Sequence, residues 1–120
     1  MKTLSVLLAL LCACVPQMVE KIPKVKVGDL VAGREWVGQI VEITGRCLGY
    51  TSTAGTPPQS RSDWVLESEG SRIFVVGPLP RGCDAAGGGS ESLTLKGRVL
   101  EYTPPVLGNQ SAAQRYLELL

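Results

Sequence analysis

From Trp36 to Tyr50 the chain alternates with a period of two. Val37, Val41, Ile43, Gly45 and Cys47 fall on one face, and Glu42, Thr44 and Arg46 on the other, with Ile40 the exception. That spacing predicts a half-buried strand, not a helix. Gly45 in its middle predicts a bend or a bulge. A long strand that bends cannot be satisfied by a helical bundle, so the rest of the chain has to supply partner strands.

It does so with short apolar runs and turn punctuation. Thr51–Ser62 (TSTAGTPPQSRS) is a loop by composition. Asp63–Ser68 predicts a second strand with Trp64 and Leu66 on one face, and Glu69-Gly70-Ser71 turns it into a third, Arg72–Val76. Gly77–Ser92, with Pro78, Pro80 and Gly87-Gly88-Gly89, is a long connection with room for a short helix. Leu93–Tyr102 predicts a fourth strand with Leu93, Leu95, Gly97 and Val99 on one face, stopped by Pro104-Pro105. Arg115–Leu120 (RYLELL) predicts a last strand with Leu117 and Leu119 inward, although its Leu and Glu also suit a helix. Five strands led by a long, glycine-bearing one predict a small closed or nearly closed barrel, with an open sandwich as the rival.

VGQIVEITGRCLGY resembles the opening strand of an OB-fold of the tRNA-anticodon-like type, with its G-x-x-V-x-V-x-G-x-V pattern. DWVLES and RIFVV resemble its second and third strands, LTLKGRVLEY its fourth and RYLEL its fifth, together spanning Trp36–Leu120. The resemblance implies an all-β, five-stranded Greek-key barrel over residues 28–120, whose ligand face is formed by the second and third strands and their flanking loops.

The first residues read as an address. Met1-Lys2-Thr3 carries one charge, and the apolar stretch to Val15 is 12 residues long. A membrane span needs about 20, so this fits the middle of a secretory leader. Leu11-Cys12-Ala13-Cys14 resembles a bacterial lipobox, which implies a leader over residues 1–13 and a lipid on Cys14. The alternatives are a buried apolar helix with incidental thiols or a C-x-C metal pair. Residues 14–27 read as a tether, or over Lys24–Val27 as an extra edge strand. The expected location is therefore the bacterial envelope, lipid-anchored and facing the periplasm or the exterior.

That address gives Cys47 and Cys83 a disulfide-permissive compartment. A structural bridge is expected between them. A redox or metal pair is disfavoured, because they lie far apart without a CxxC or any histidine. The absence of histidine also removes Ser-His-Asp chemistry, haem attachment and histidine zinc ligation. Asp63, Glu67, Glu69 and Asp84 offer oxygen ligands but no calcium-loop spacing. Neither metal nor cofactor is expected, and no residue presents itself as catalytic.

Arg61-Ser62-Asp63-Trp64 is the densest polar-aromatic cluster. With Tyr50, Arg72 and Phe74 it could form a stacking platform for a base or a sugar. The plainer reading has Trp64 plugging a barrel end and Asp63 capping the loop. The body from Trp36 carries seven basic side chains, including Lys96, Arg98 and Arg115, against eight acidic ones. With six aromatics in the chain and no basic excess, the composition argues against a nucleic-acid partner. The expectation is a non-enzymatic adaptor that binds an envelope protein or a small or glycan ligand. A structural envelope subunit without a ligand, an accessory domain of a larger enzyme complex, and single-strand binding are the alternatives.

Overall fold

The computed structural model describes residues 21–51, 54–83, 92–104 and 112–120. The leader, Cys14 and the glycine run 87–89 lie outside the described residues. The strands are β1 (Ile40–Gly49), β2 (Trp64–Ser68), β3 (Ser71–Val76), β4 (Ser92–Tyr102) and β5 (Gln114–Leu119), with one helix, α1 (Val27–Ala32), ahead of them. They close in the order β1-β2-β3-β5-β4, with β4 returning to β1. All pairs are antiparallel except β3 with β5. This is the closed five-stranded barrel that the strand pattern predicts, of the OB-like kind that the resemblance implied.

Closure depends on two glycines. A Cβ on Gly45 would lie 2.6 Å from the Glu67 carbonyl oxygen and 2.9 Å from Leu66 Cγ. On Gly97 it would lie 2.5 Å from the Glu118 carbonyl oxygen and 2.7 Å from Leu117 Cγ. At these points β1 bends over β2 and β4 over β5, so closely that only hydrogen fits. The bulge itself falls later, where the β1–β2 register shifts between Cys47 and Gly49. The β2–β3 hairpin turns through Glu69 (φ 51°) and Gly70 (φ 83°), the positive pair that a two-residue turn between twisted strands requires.

The inward faces meet in one core of Val41, Ile43, Cys47, Trp64, Leu66, Ile73, Val75, Val99 and Leu117, all at most 1 % exposed. Trp64 is fully buried and donates its indole N–H to the Gly77 carbonyl at 3.3 Å. Leu79 and Cys83 pack against this core, and Cys83 is bonded to Cys47 with a Cα–Cα distance of 5.6 Å. The expected bridge thus ties β1 to the connection that follows β3.

Apart from one-residue shifts at the ends of the other strands, two boundaries differ from the sequence reading. The first strand starts at Ile40, because residues 35–38 form turns whose Trp36 and Val37 lean on the core. The tether expected over 14–27 gives way to the folded body before residue 27. Val25 and Val27 are core residues, and Glu42 exchanges backbone hydrogen bonds with Pro23 and Val25 across the Lys24–Glu42 bridge. Pro23 has no N–H for the next rung, so the pairing stays a single bridge.

Helix α1 was not anticipated. Its Val27 and Leu30, three residues apart, enter the core with zero exposure. Its last carbonyls have no partners within a six-residue helix. Arg115, inward-facing and opposite Glu101 at the barrel mouth, donates to the carbonyls of Leu30, Val31 and Ala113. Glu101 in turn accepts one hydrogen bond, from Arg34 Nη2 to Oε1 at 2.9 Å, while its buried Oε2 has only ion-pair contacts, with Arg34 Nε at 2.8 Å and Arg115 Nη1 at 3.9 Å. Arg115 therefore latches the helix over the barrel.

Gly97→Ala is expected to cost about 1–3 kcal/mol by overpacking against backbone that cannot yield, read as a lower urea midpoint. Arg115→Met is expected to cost about 1–3 kcal/mol through stranded carbonyls, with amide exchange accelerated in α1 before the strands.

Candidate ligand cleft

The loop between β1 and β2 lies across the outer wall of the barrel. Outward-facing Val65, Phe74, Tyr116 and Leu100 stand level on β2, β3, β5 and β4. They form a second apolar cluster in which Val65 is fully buried and Phe74 is 2 % exposed. Ala54 covers that cluster, the Thr56 carbonyl accepts the Tyr102 hydroxyl at 2.7 Å, and the Gln59 amide lies 3.5 Å from the Tyr116 hydroxyl. The Tyr102 hydroxyl also lies 3.0 Å from Gln114 Oε1; with one proton to give, it serves one of these, and a turned Gln114 amide satisfies the other. Tyr102 and Tyr116 meet edge to face at 5.5 Å. Burial, then the negative charge of Asp63, pushes the Tyr102 phenol above its ordinary 10.0.

Asp63 anchors the loop. It is 4 % exposed, and its Oδ2 accepts the backbone N–H of Gln59 at 2.7 Å and of Ser60 at 2.9 Å. Both donors precede Asp63 by three or four residues, so the carboxylate reaches back to close the end of the loop, and backbone donors there replace water.

The six residues singled out from the sequence divide among different settings. Tyr50, Arg61 and Asp63 come together with Thr51 and Pro57 around a cleft of about 250 Å³, and Tyr50 is 46 % exposed there. Arg72 and Phe74 line a separate cavity of about 230 Å³ with Tyr102, Gln114, Arg115 and Val31. Trp64 lines neither and belongs to the core. The stacking platform of Tyr50, Phe74 and Arg72 is not assembled, because Phe74 lies under the chain's own loop. Arg72 is held instead by Glu67, at 2.8 Å, which also receives Arg46 at 3.3 Å.

Sequence reasoning missed the Arg34–Glu101–Arg115 latch, the outer apolar row and the part played by Pro57. The row had one visible trace: Val65, Phe74 and Tyr116 are large apolar residues on the supposedly wet face of alternating strands. Among the described residues, no three Cys, Asp or Glu side chains gather as a cation site.

No protein-family model matches the chain, and no curated protein matches it either. Among solved structures, an aspartyl-tRNA synthetase from Leishmania major Friedlin superposes with a TM-score of 0.53 over 86 % of this chain, at 14 % identity. The chain corresponds to 20 % of that enzyme's length. The likeness is one of fold.

Two arginines share Glu67, and Arg72, then Arg46, hold its carboxyl below the ordinary 4.5. A carboxyl lowered in the folded state stabilises above its unfolded value, and that contribution disappears as pH falls through the lower folded value. Glu67→Gln is therefore expected to flatten the acid limb of a stability-versus-pH curve measured by urea midpoints from pH 6 to pH 3. An unchanged limb would show that the carboxyl is not engaged.

Proposed function

We propose that this chain is a non-enzymatic binding module of the bacterial envelope, anchored by lipid on Cys14, with the Tyr50 cleft as its ligand site. The observation that carries the reading is the cleft itself. An exposed aromatic ring and Pro57 offer apolar surface beside Arg61 and an Asp63 fixed by backbone donors. An aromatic or proline face with one cation and one acceptor suits a sugar, whose rings present C–H faces and hydroxyl edges. The Cys47–Cys83 bond supports the compartment, because such bonds persist where the surroundings are oxidising. The leader-like start supports the anchor.

Single-strand binding is the competing use of such a barrel, and the fold likeness to a tRNA synthetase keeps it in the test. What opposes it is chemistry on this surface. Phe74 is covered, and Arg46 and Arg72 are partly neutralised by Glu67. A groove for single strands needs open rings and unopposed cations.

The test titrates the mature protein with a GlcNAc–MurNAc tetrasaccharide and, separately, with a 12-nucleotide single strand. Saturable glycan binding is expected, with NMR shifts centred on Tyr50, Thr51 and Arg61, weakened about tenfold or more in Tyr50→Ala (~1.4 kcal/mol per decade). Micromolar binding of the nucleotide strand with a steep salt dependence, without glycan binding, would replace this reading. Binding of neither would favour a structural subunit.

A further inference from the structure

We infer that the outer wall around Ile22, Ile40, Arg98 and Leu120 is the face on which the barrel rests against a bilayer rich in anionic phospholipid. This inference rests on the lipid-anchor reading and adds an orientation to it. Among the described residues three large apolar side chains are exposed: Ile22 at 37 %, Tyr50 at 46 % and Leu120 at 71 %. Two of the three meet in one groove of about 700 Å³, together with Ile40. The charged side chains of its lining, Lys21 and Arg98, are both basic, and Glu118 stands beside Arg98 on the neighbouring strand. Arg98 is held in place by donating to the Gly38 carbonyl at 3.1 Å, and Leu120 by donating its N–H to the Lys96 carbonyl. Apolar side chains between basic ones match the boundary between acyl chains and anionic headgroups.

Chain connectivity points the same way. Lys21 lies in this groove and is seven positions after Cys14. Seven residues reach at most about 25 Å, so an acyl chain on Cys14 holds this wall, before any other part of the barrel, close to the membrane. The Tyr50 cleft begins at the opposite end of β1 from Ile40. The wall that meets lipid and the cleft that meets ligand are thereby separated by the length of that strand.

The test uses the mature protein on vesicles of phosphatidylethanolamine and phosphatidylglycerol (7:3) and on vesicles of phosphatidylcholine, with backbone exchange read by mass spectrometry. Exchange at residues 38–40 is expected to slow about tenfold on the anionic vesicles relative to the neutral ones, with residues 54–63 unchanged. The difference is expected to vanish in a Lys21→Glu/Leu120→Glu double variant, whose two sites are exposed and carry no part of the core. Equal exchange on both vesicles would overturn the inference, whether the groove is left open or is covered by the chain's own residues 15–20. Slowing at 54–63 instead would overturn it too, by placing the cleft on the membrane. The intact mass of the same sample separates the two failures. An acylated Cys14 with no slowing at 38–40 removes the orientation alone, whereas a mass without acyl chains removes the anchor and the orientation with it.

Discussion

Gly45 and Gly97 set the geometry on which everything else in this protein depends. Each lets one strand cross the backbone of its neighbour at a distance that no side chain tolerates. Five short strands can then wrap a single core around Trp64, and no long edge is left between β4 and β1. A barrel this small has two ends to fill. Helix α1, latched by Arg115, fills one, and the segment after β3, with Leu79 and the Cys47–Cys83 bond, covers the other. In a folding unit of fewer than 100 residues the burial available is modest, so such closures matter.

The same wrapping decides where a ligand can approach. An OB-like barrel offers its second and third strands as a platform. Here the β1–β2 loop lies on that platform and buries Phe74 and Val65 beneath Ala54. The open surface lies instead at the rim of the loop, where Tyr50, Arg61 and Asp63 converge on the cleft we propose as the ligand site. Asp63 couples the two: the carboxylate that pins the loop through Gln59 and Ser60 also lines the cleft. Loop placement and cleft geometry therefore change together.

Much of the fold was legible because strand alternation and barrel topology leave residue-level traces. Val41, Ile43 and Cys47 on one side of β1 and Leu117 in β5 sit where a period of two places them. Helix α1 was not legible. Six residues are less than two turns, and it is held by the burial of Val27 and Leu30 and by Arg115, 85 residues away from Leu30 in the chain. The outer apolar row was missed for a related reason, since alternation alone marks Phe74 and Val65 as facing water unless a loop covers them. Of the candidate site, Tyr50, Arg61 and Asp63 cluster as residues of one loop base. Trp64 was singled out for its neighbours in sequence, yet strand parity turns it into the core, where the plainer reading had put it.

If the barrel works outside the cytoplasm, as we propose, the state of Cys47 and Cys83 inside living cells reports it. Intact cells are quenched in acid, the protein is denatured and alkylated without reductant, and the product is weighed. No alkyl group is expected on Cys47 or Cys83, and the mass is expected to be two hydrogens lighter than the thiol form, with the pair linked as in the structure. Two alkylated thiols would contradict it, and would return the barrel to a reducing compartment.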